Sequence, residues 1–178
     1  YINTHYLYGG PEAAEDLLVF IDAEKSSPRF AFALRERVER QYAENAIYRQ
    51  VIDMLGEQAQ LEMGGNIDAV SGGERRDWFF SPAVAERLQR PPLLIFKDLQ
   101  KVLLDGRDLR SRDIDGLRTL HVADLVTEAS SYFRAWMPAI GQGGGGIAYS
   151  ANVIDRGQGG IEALNERGVK AGALLRVD

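Results

Sequence analysis

The sequence predicts an α/β fold: an open, mostly parallel sheet flanked by helices, preceded by an N-terminal helical portion. Three observations carry that prediction. From Phe32 to about Gln60, Leu34, Val38 and Tyr42 stand four apart, as do Ile47, Val51 and Leu55, which is helical spacing. From Gly64 onward, short apolar runs alternate with helical patterns in the order β-α-β-β-α-β-α-β, as parallel strands with crossover helices do. Within that alternation, Leu117–Ser131 (LRTLHVADLVTEASS) opens as a buried strand, reaches an acid at Asp124 and turns through small hydroxyl residues into a helix.

The bulk numbers bound the function. The chain has 178 residues, of which 45% are hydrophobic and 26% charged, and it is expected to form one domain. Residues 1–62 form the helical portion of that domain and 63–178 its α/β core. A net charge of -5 argues against non-specific nucleic-acid binding. The absence of cysteine excludes disulfides and thiolate chemistry, and fits a cytoplasmic location. His5 and His121 are the only histidines, so a His-rich metal site is not expected, whereas an oxygen-ligated Mg²⁺ is compatible. No apolar run approaches the roughly 20 residues that span a bilayer. The chain opens on Tyr1 rather than Met and shows no signal-peptide pattern, which leaves open a missing native N-terminus.

In order, Tyr1–Gly10 reads as a poorly defined arm or turn. Pro11–Ala23 reads as a short helix, because Pro suits its first turn and Glu12 and Glu15 suit its positive end. Phe32–Gln60 is one or two amphipathic helices, with a five-residue slip between its two apolar sets and a solvated charged face at Arg35–Arg40. Gly64 and Gly65 close it. Ile67–Val70 is a strand, Ser71–Asp77 a Gly-containing loop, Trp78–Leu88 a helix and Leu93–Phe96 a strand, which together make a βαβ unit. Lys97–Gly116, rich in charge and carrying Gly106, is a loop or poorly protected hairpin. After the strand ending at Asp124 comes a helix, Tyr132–Ile140. Gly141–Gly146, with five glycines, reads as a loose helix-to-strand connection. Ile147–Ile154 is a strand, Ile161–Arg167 a helix stopped by Gly168, and Val169–Val177 a final strand.

Ligands of open α/β sheets sit beyond the carboxyl ends of the strands. Three candidate loops fall there: Ser71–Asp77, Asp124–Ser131 and Asp155–Gly160. Small hydroxyl residues opening a helix suit a phosphorylated ligand, because free N–H groups and the positive dipole end meet it there. The same residues also read as a plain strand, turn and Ser/Thr cap.

The Asp124–Ser131 stretch resembles the phosphoribosyl-pyrophosphate (PRPP) motif of type I phosphoribosyltransferases, and Ser27–Asp178 as a whole resembles orotate phosphoribosyltransferase. The most specific piece is Val153–Asp178, VIDRGQGGIEALNERGVKAGALLRVD, followed by Asp68–Asp98. The resemblance implies a type I phosphoribosyltransferase-like fold, PRPP as co-substrate with Mg²⁺, orotate or a related base as acceptor, and a homodimer. It implies catalytic roles for Asp124 and Lys101, with Asp124 also toward the metal. PRPP would meet Arg75, Arg76, Lys97, Thr127, Glu128, Ala129, Ser130 and Ser131. Arg156 would hold the substrate carboxylate as a planar cationic fork, and Phe30 would lie against the base. This sequence departs from the pattern at several points. Ala123 replaces the first of two acids, Asp77 stands where a glycine is usual, and Glu128 places a carboxylate in the phosphate loop. Phe96 replaces an arginine, Gln100 falls at the catalytic lysine with Lys101 one place off, and the catalytic-loop histidine is absent. Single preorganised groups of this kind are worth on the order of 3 kcal/mol. The rival expectations are therefore a homologue that binds a nucleotide or PRPP without turnover, and a structural, dimerising domain.

Overall fold

The computed structural model describes residues 2–63, 65–104, 110–111 and 113–178, with the backbone alone described at 63, 110 and 111. The expectations on Gly64 and Gly106 lie outside the described residues.

Three helices come first: α1 (Pro11–Glu24), α2 (Phe30–Glu44) and α3 (Ala46–Met63). The slip in the apolar pattern is a real break. Asn45 turns extended (φ -110, ψ 105), and its side-chain Oδ1 accepts the Tyr48 N–H at 3.0 Å, capping α3. The N-terminal residues are not a loose arm. Asn3–Leu7 form a π-helical turn, and Tyr8 is buried with its ring 4.6 Å from that of Phe79. Burial of Leu7 and Tyr8 against the core outweighs the polar composition of this segment.

The core then runs β1 (Ala69–Gly73), a 3-10 turn (Arg76–Phe79), α4 (Ser81–Leu88), β2 (Pro92–Ile95), β3 (Lys101–Leu104), β4 (Arg110–Ser111) and β5 (Arg118–Val126). A π-helical turn (Tyr132–Trp136) continues into α5 (Met137–Gln142), followed by β6 (Gly146–Asp155), α6 (Gly160–Glu166) and β7 (Lys170–Arg176). Among the described residues the sheet has seven strands in the order β4-β3-β2-β1-β5-β6-β7. The pairs from β2 to β7 are parallel, whereas β3 and β4 add an antiparallel edge, so the polar stretch after Lys97 contains a hairpin.

Both faces are covered, which is why the strands read as continuous apolar runs. Leu94 of β2 points into one core with Tyr48, Leu55, Trp78 and Val122. Leu93 and Ile95, on the other face by the two-residue period, join Val126, Ile140, Leu164 and Val169. Two strands run two or more residues past the end expected of them. β1 runs to Gly73, so Ser71–Gly73 are strand rather than loop, held between β2 and β5. β5 continues two residues past Asp124, because Leu125 and Val126 pair with Ile154 and Asp155 of β6. The glycine run after α5 is packed rather than loose: Gly116 N–H donates to Gly144 O at 2.9 Å, and Gly144 sits at φ +84.

Candidate functional site

The loops that follow β1 and β5 face each other at the carboxyl ends of these adjacent parallel strands. Between them lies a cavity of about 320 Å³. Of the predicted site residues, Arg75, Arg76, Asp124, Thr127, Ala129, Ser130 and Ser131 line it.

The loop after β5 is shaped by backbone packing. Ala129 is buried and takes a left-handed φ of 62, a conformation that costs an alanine energy and needs support. The support is Gly160, at the start of α6. A Cβ there would collide with the Thr127 carbonyl and stand 3.1 Å from the Ala129 nitrogen. Tyr132 anchors the following turn, its hydroxyl donating to Asn152 Oδ1 at 2.9 Å and lying 2.6 Å from Ser150 Oγ. No side chain caps the opening of this helical turn, and the Phe133 N–H donates to the Ala129 carbonyl at 3.2 Å. Glu128 is exposed and is not part of the cavity wall, so its carboxylate does not enter the cradle.

The loop after β1 is held by charge. Glu74, its side chain 2% exposed, pairs with Lys25, just past the end of α1, at 2.7 Å and accepts the Lys97 backbone N–H at 2.9 Å. Arg75 pairs with Asp22 of α1 at 2.7 Å. The Glu74–Arg75 peptide is cis. Arg76 is exposed at the cavity wall.

Asp124 sits between the loops. Its carboxylate Oδ2 accepts from the Tyr8 hydroxyl at 3.3 Å, and its backbone carbonyl accepts from Asn3 Nδ2 at 2.9 Å. Burial, and next the nearby Asp77 carboxylate, push its pKa up to about 7, against the opposing pull of Arg76 and the Tyr8 hydrogen bond. Burial likewise pushes the Tyr8 hydroxyl up, so it stays a donor.

Besides Glu128, four expected residues stand off the cavity wall. Phe30 corrects the expectation outright: it is 2% exposed and stacked against Phe20 at 5.8 Å, with Trp78 at 5.5 Å, because the aromatic core claims it. Lys97 and Lys101 lie at the turn from β2 into β3, Lys97 exposed and Lys101 half-buried. Arg156 is exposed just past β6, its backbone N–H bonded to Val126 O at 2.9 Å. Conversely, Asp77 and Trp136 line the cavity and His121 and Tyr8 lie directly behind it, although the sequence assigns none of them a site role. The available signal was His121, a polar residue within an apolar strand.

Among the described residues no group of three or more His, Asp or Glu side chains could hold a metal by itself. Nor is any described helix long and apolar enough to cross a membrane.

A curated relative, the orotate phosphoribosyltransferase of Pyrococcus furiosus, is 31% identical over 129 residues, covering 72% of this chain and 69% of the relative. The structure of orotate phosphoribosyltransferase from Aeropyrum pernix superposes with a TM-score of 0.60 at 21% identity, covering 77% of this chain and 75% of that one. That of Mycobacterium tuberculosis orotate phosphoribosyltransferase in complex with PRPP gives 0.59 at 21% identity, covering 78% of each. No family model matches the sequence. With a relative above 30% identity spanning over two thirds of both chains, and a shared fold in the solved structures, the chain belongs to the orotate phosphoribosyltransferase family of type I phosphoribosyltransferases.

Proposed function

We propose that this protein binds PRPP in the cavity between the two loops and transfers its ribose 5-phosphate to orotate or a related base, releasing pyrophosphate. The observation that carries this reading is the meeting of Thr127, Ala129, Ser130, Ser131, Arg76 and Asp124 around one cavity at the carboxyl edge of a parallel sheet. The 5-phosphate would rest on Thr127, Ser130, Ser131 and the N–H groups of their turn. Arg76, with Lys97 and Lys101 from the adjacent edge, would neutralise the pyrophosphate. Arg75 would contribute less, because Asp22 already holds it. Arg156 would hold the carboxylate of the base. A ring nitrogen of the base would attack ribose C1, the bond to pyrophosphate would break with its electron pair on the leaving oxygen, and the nitrogen's proton would pass to solvent. No covalent nucleophile is required; positioning and charge stabilisation supply the rate.

Mg²⁺ retains water and is bound through one or two carboxylates with substrate phosphates, not by a protein cage. The donor set fits that mode. Asp124 Oδ2 is taken by Tyr8, and Oδ1 has no hydrogen-bond partner among the described residues. Asp124 would hold the ion, which supplies charge neutralisation on the pyrophosphate. A cytoplasmic homodimer accompanies this reading, and light scattering of the purified protein tests the dimer.

A second reading, binding without turnover, is favoured by Ala123 at the position beside Asp124 and by the Tyr8 and Asn3 contacts that bury Asp124 from the N-terminal side. Pyrophosphate release with PRPP, Mg²⁺ and orotate, run beside a PRPP titration, separates the readings. Release above the enzyme-free rate supports transfer. Binding without release with orotate or other bases assigns the protein to sensing. No binding overturns both.

A further inference from the structure

The loop after β1 carries a carboxylate that the proposed reaction leaves without a task. Asp77 lines the cavity with its side chain 11% exposed. Three donors hold it. Gly73 N–H donates to Oδ2 at 3.1 Å, Asp124 N–H donates to Oδ1 at 3.2 Å, and His121 Nε2 lies 3.3 Å from Oδ2. An ionised carboxylate offers about four acceptor positions, so about one remains for a ligand.

Behind Asp77, His121 is fully buried. Its Nδ1 lies 2.9 Å from Ser71 Oγ, and the rings of Tyr132 and Trp136 flank it at 4.9 and 6.0 Å. A neutral imidazole protonated on Nε2 satisfies both sides: it donates to Asp77 and accepts from Ser71. Asp77 is thus fixed before any ligand arrives, as a preorganised binding group must be.

The sign of its charge selects the partner. A pyrophosphate or 5-phosphate would be repelled by Asp77, whereas a hydroxyl can donate to it. Asp124 presents a second carboxylate to the same cavity, and the two are linked through the Asp124 N–H. A ligand that carries both hydroxyls and phosphates matches that mixed wall: two carboxylates, the hydroxyls of Thr127, Ser130 and Ser131, and the Arg76 cation. Resting on the PRPP reading above, we propose that Asp77 is a sugar-binding carboxylate that accepts a hydrogen bond from a ribose hydroxyl, with His121 as the positioning residue behind it.

The test is isothermal titration of the whole chain with PRPP and Mg²⁺, and separately with pyrophosphate and Mg²⁺, which carries no sugar. Asp77→Asn is expected to weaken PRPP at least tenfold while pyrophosphate binds unchanged or tighter. His121→Gln should move PRPP in the same direction by a smaller factor. Equal weakening of both ligands would make Asp77 a loop-building residue only, and tighter binding of both would make its carboxylate an internal occupant of an anion cradle. Either result overturns the assignment. If Asp77→Asn does not fold by circular dichroism, Asp77→Glu replaces it, with the same selective loss of PRPP expected and uniform loss contradicting it. Wild-type protein that fails to bind PRPP removes the PRPP reading, and this inference with it. Wild-type binding that is indifferent to Asp77 removes this inference alone.

Discussion

Across the cavity, two loops are held in place by different forces. The loop after β1 is fixed by charge, Glu74 with Lys25 and Arg75 with Asp22, and by the hydrogen bonds that Asp77 accepts. The loop after β5 is fixed by shape: Ala129 in a left-handed conformation lies against a glycine that leaves room for its backbone. The difference has a physical sense. A loop that meets a phosphate must keep its N–H groups and hydroxyls unspent, so packing rather than hydrogen bonding has to hold it. A loop supplying cations and acids can be tied by ion pairs, provided one cation, Arg76, stays exposed at the wall.

Substitutions can break each side of that contrast separately. The largest effect is expected from Gly160→Val. Its new side chain would drive the Thr127 carbonyl away, costing about 1–3 kcal/mol of stability as overpacking does. Thermal melting should show a folded protein of lower Tm, and titration should show PRPP binding lowered more than tenfold. On the charged side, Lys25→Met leaves the buried Glu74 with the Lys97 N–H but no cation, at a cost of about 1–3 kcal/mol read by urea denaturation. The low end is expected, since the Lys25 side chain is 33% exposed and solvent screens the pair.

A pH effect sharpens the comparison. Asp124 has a folded pKa raised to about 7, above the roughly 3.9 of an unfolded aspartate. The folded state therefore favours the protonated form, and this contribution to stability is full below about pH 4 and lost as pH rises toward 7. Denaturation curves across that window should flatten in Asp124→Asn; an unchanged slope would remove this account of the residue. The smallest effect is expected from Glu128→Gln. Its side chain is exposed and off the cavity wall, so stability should change by less than about 0.5 kcal/mol and PRPP affinity by less than about twofold.

The same contrast explains what the sequence made legible. Apolar runs located the five parallel strands, and for β1, β2, β5 and β6 the reason is burial, which writes itself into composition. The resemblance to type I phosphoribosyltransferases located the loop after β5, where small residues at fixed spacing are needed. It placed Phe30 wrongly, because an aromatic residue beside a Ser-Pro pair fits a core as well as a ligand. Asp77 and His121 were not legible as partners. They stand 44 positions apart and meet only because β1 and β5 pair side by side. Nor did Tyr1–Gly10 announce its docking: Asn3 and Tyr8 reach Asp124 across more than a hundred residues, which no local pattern encodes.

The central claim is that PRPP lies between these two loops, and a crystal structure of the protein with PRPP and Mg²⁺ tests it most directly. The account predicts the 5-phosphate on the Thr127–Ser131 turn, the ribose hydroxyls toward Asp124 and Asp77, and the pyrophosphate toward Arg76. Ligand bound elsewhere on the sheet edge, or a cavity that stays empty at saturating PRPP, would contradict it.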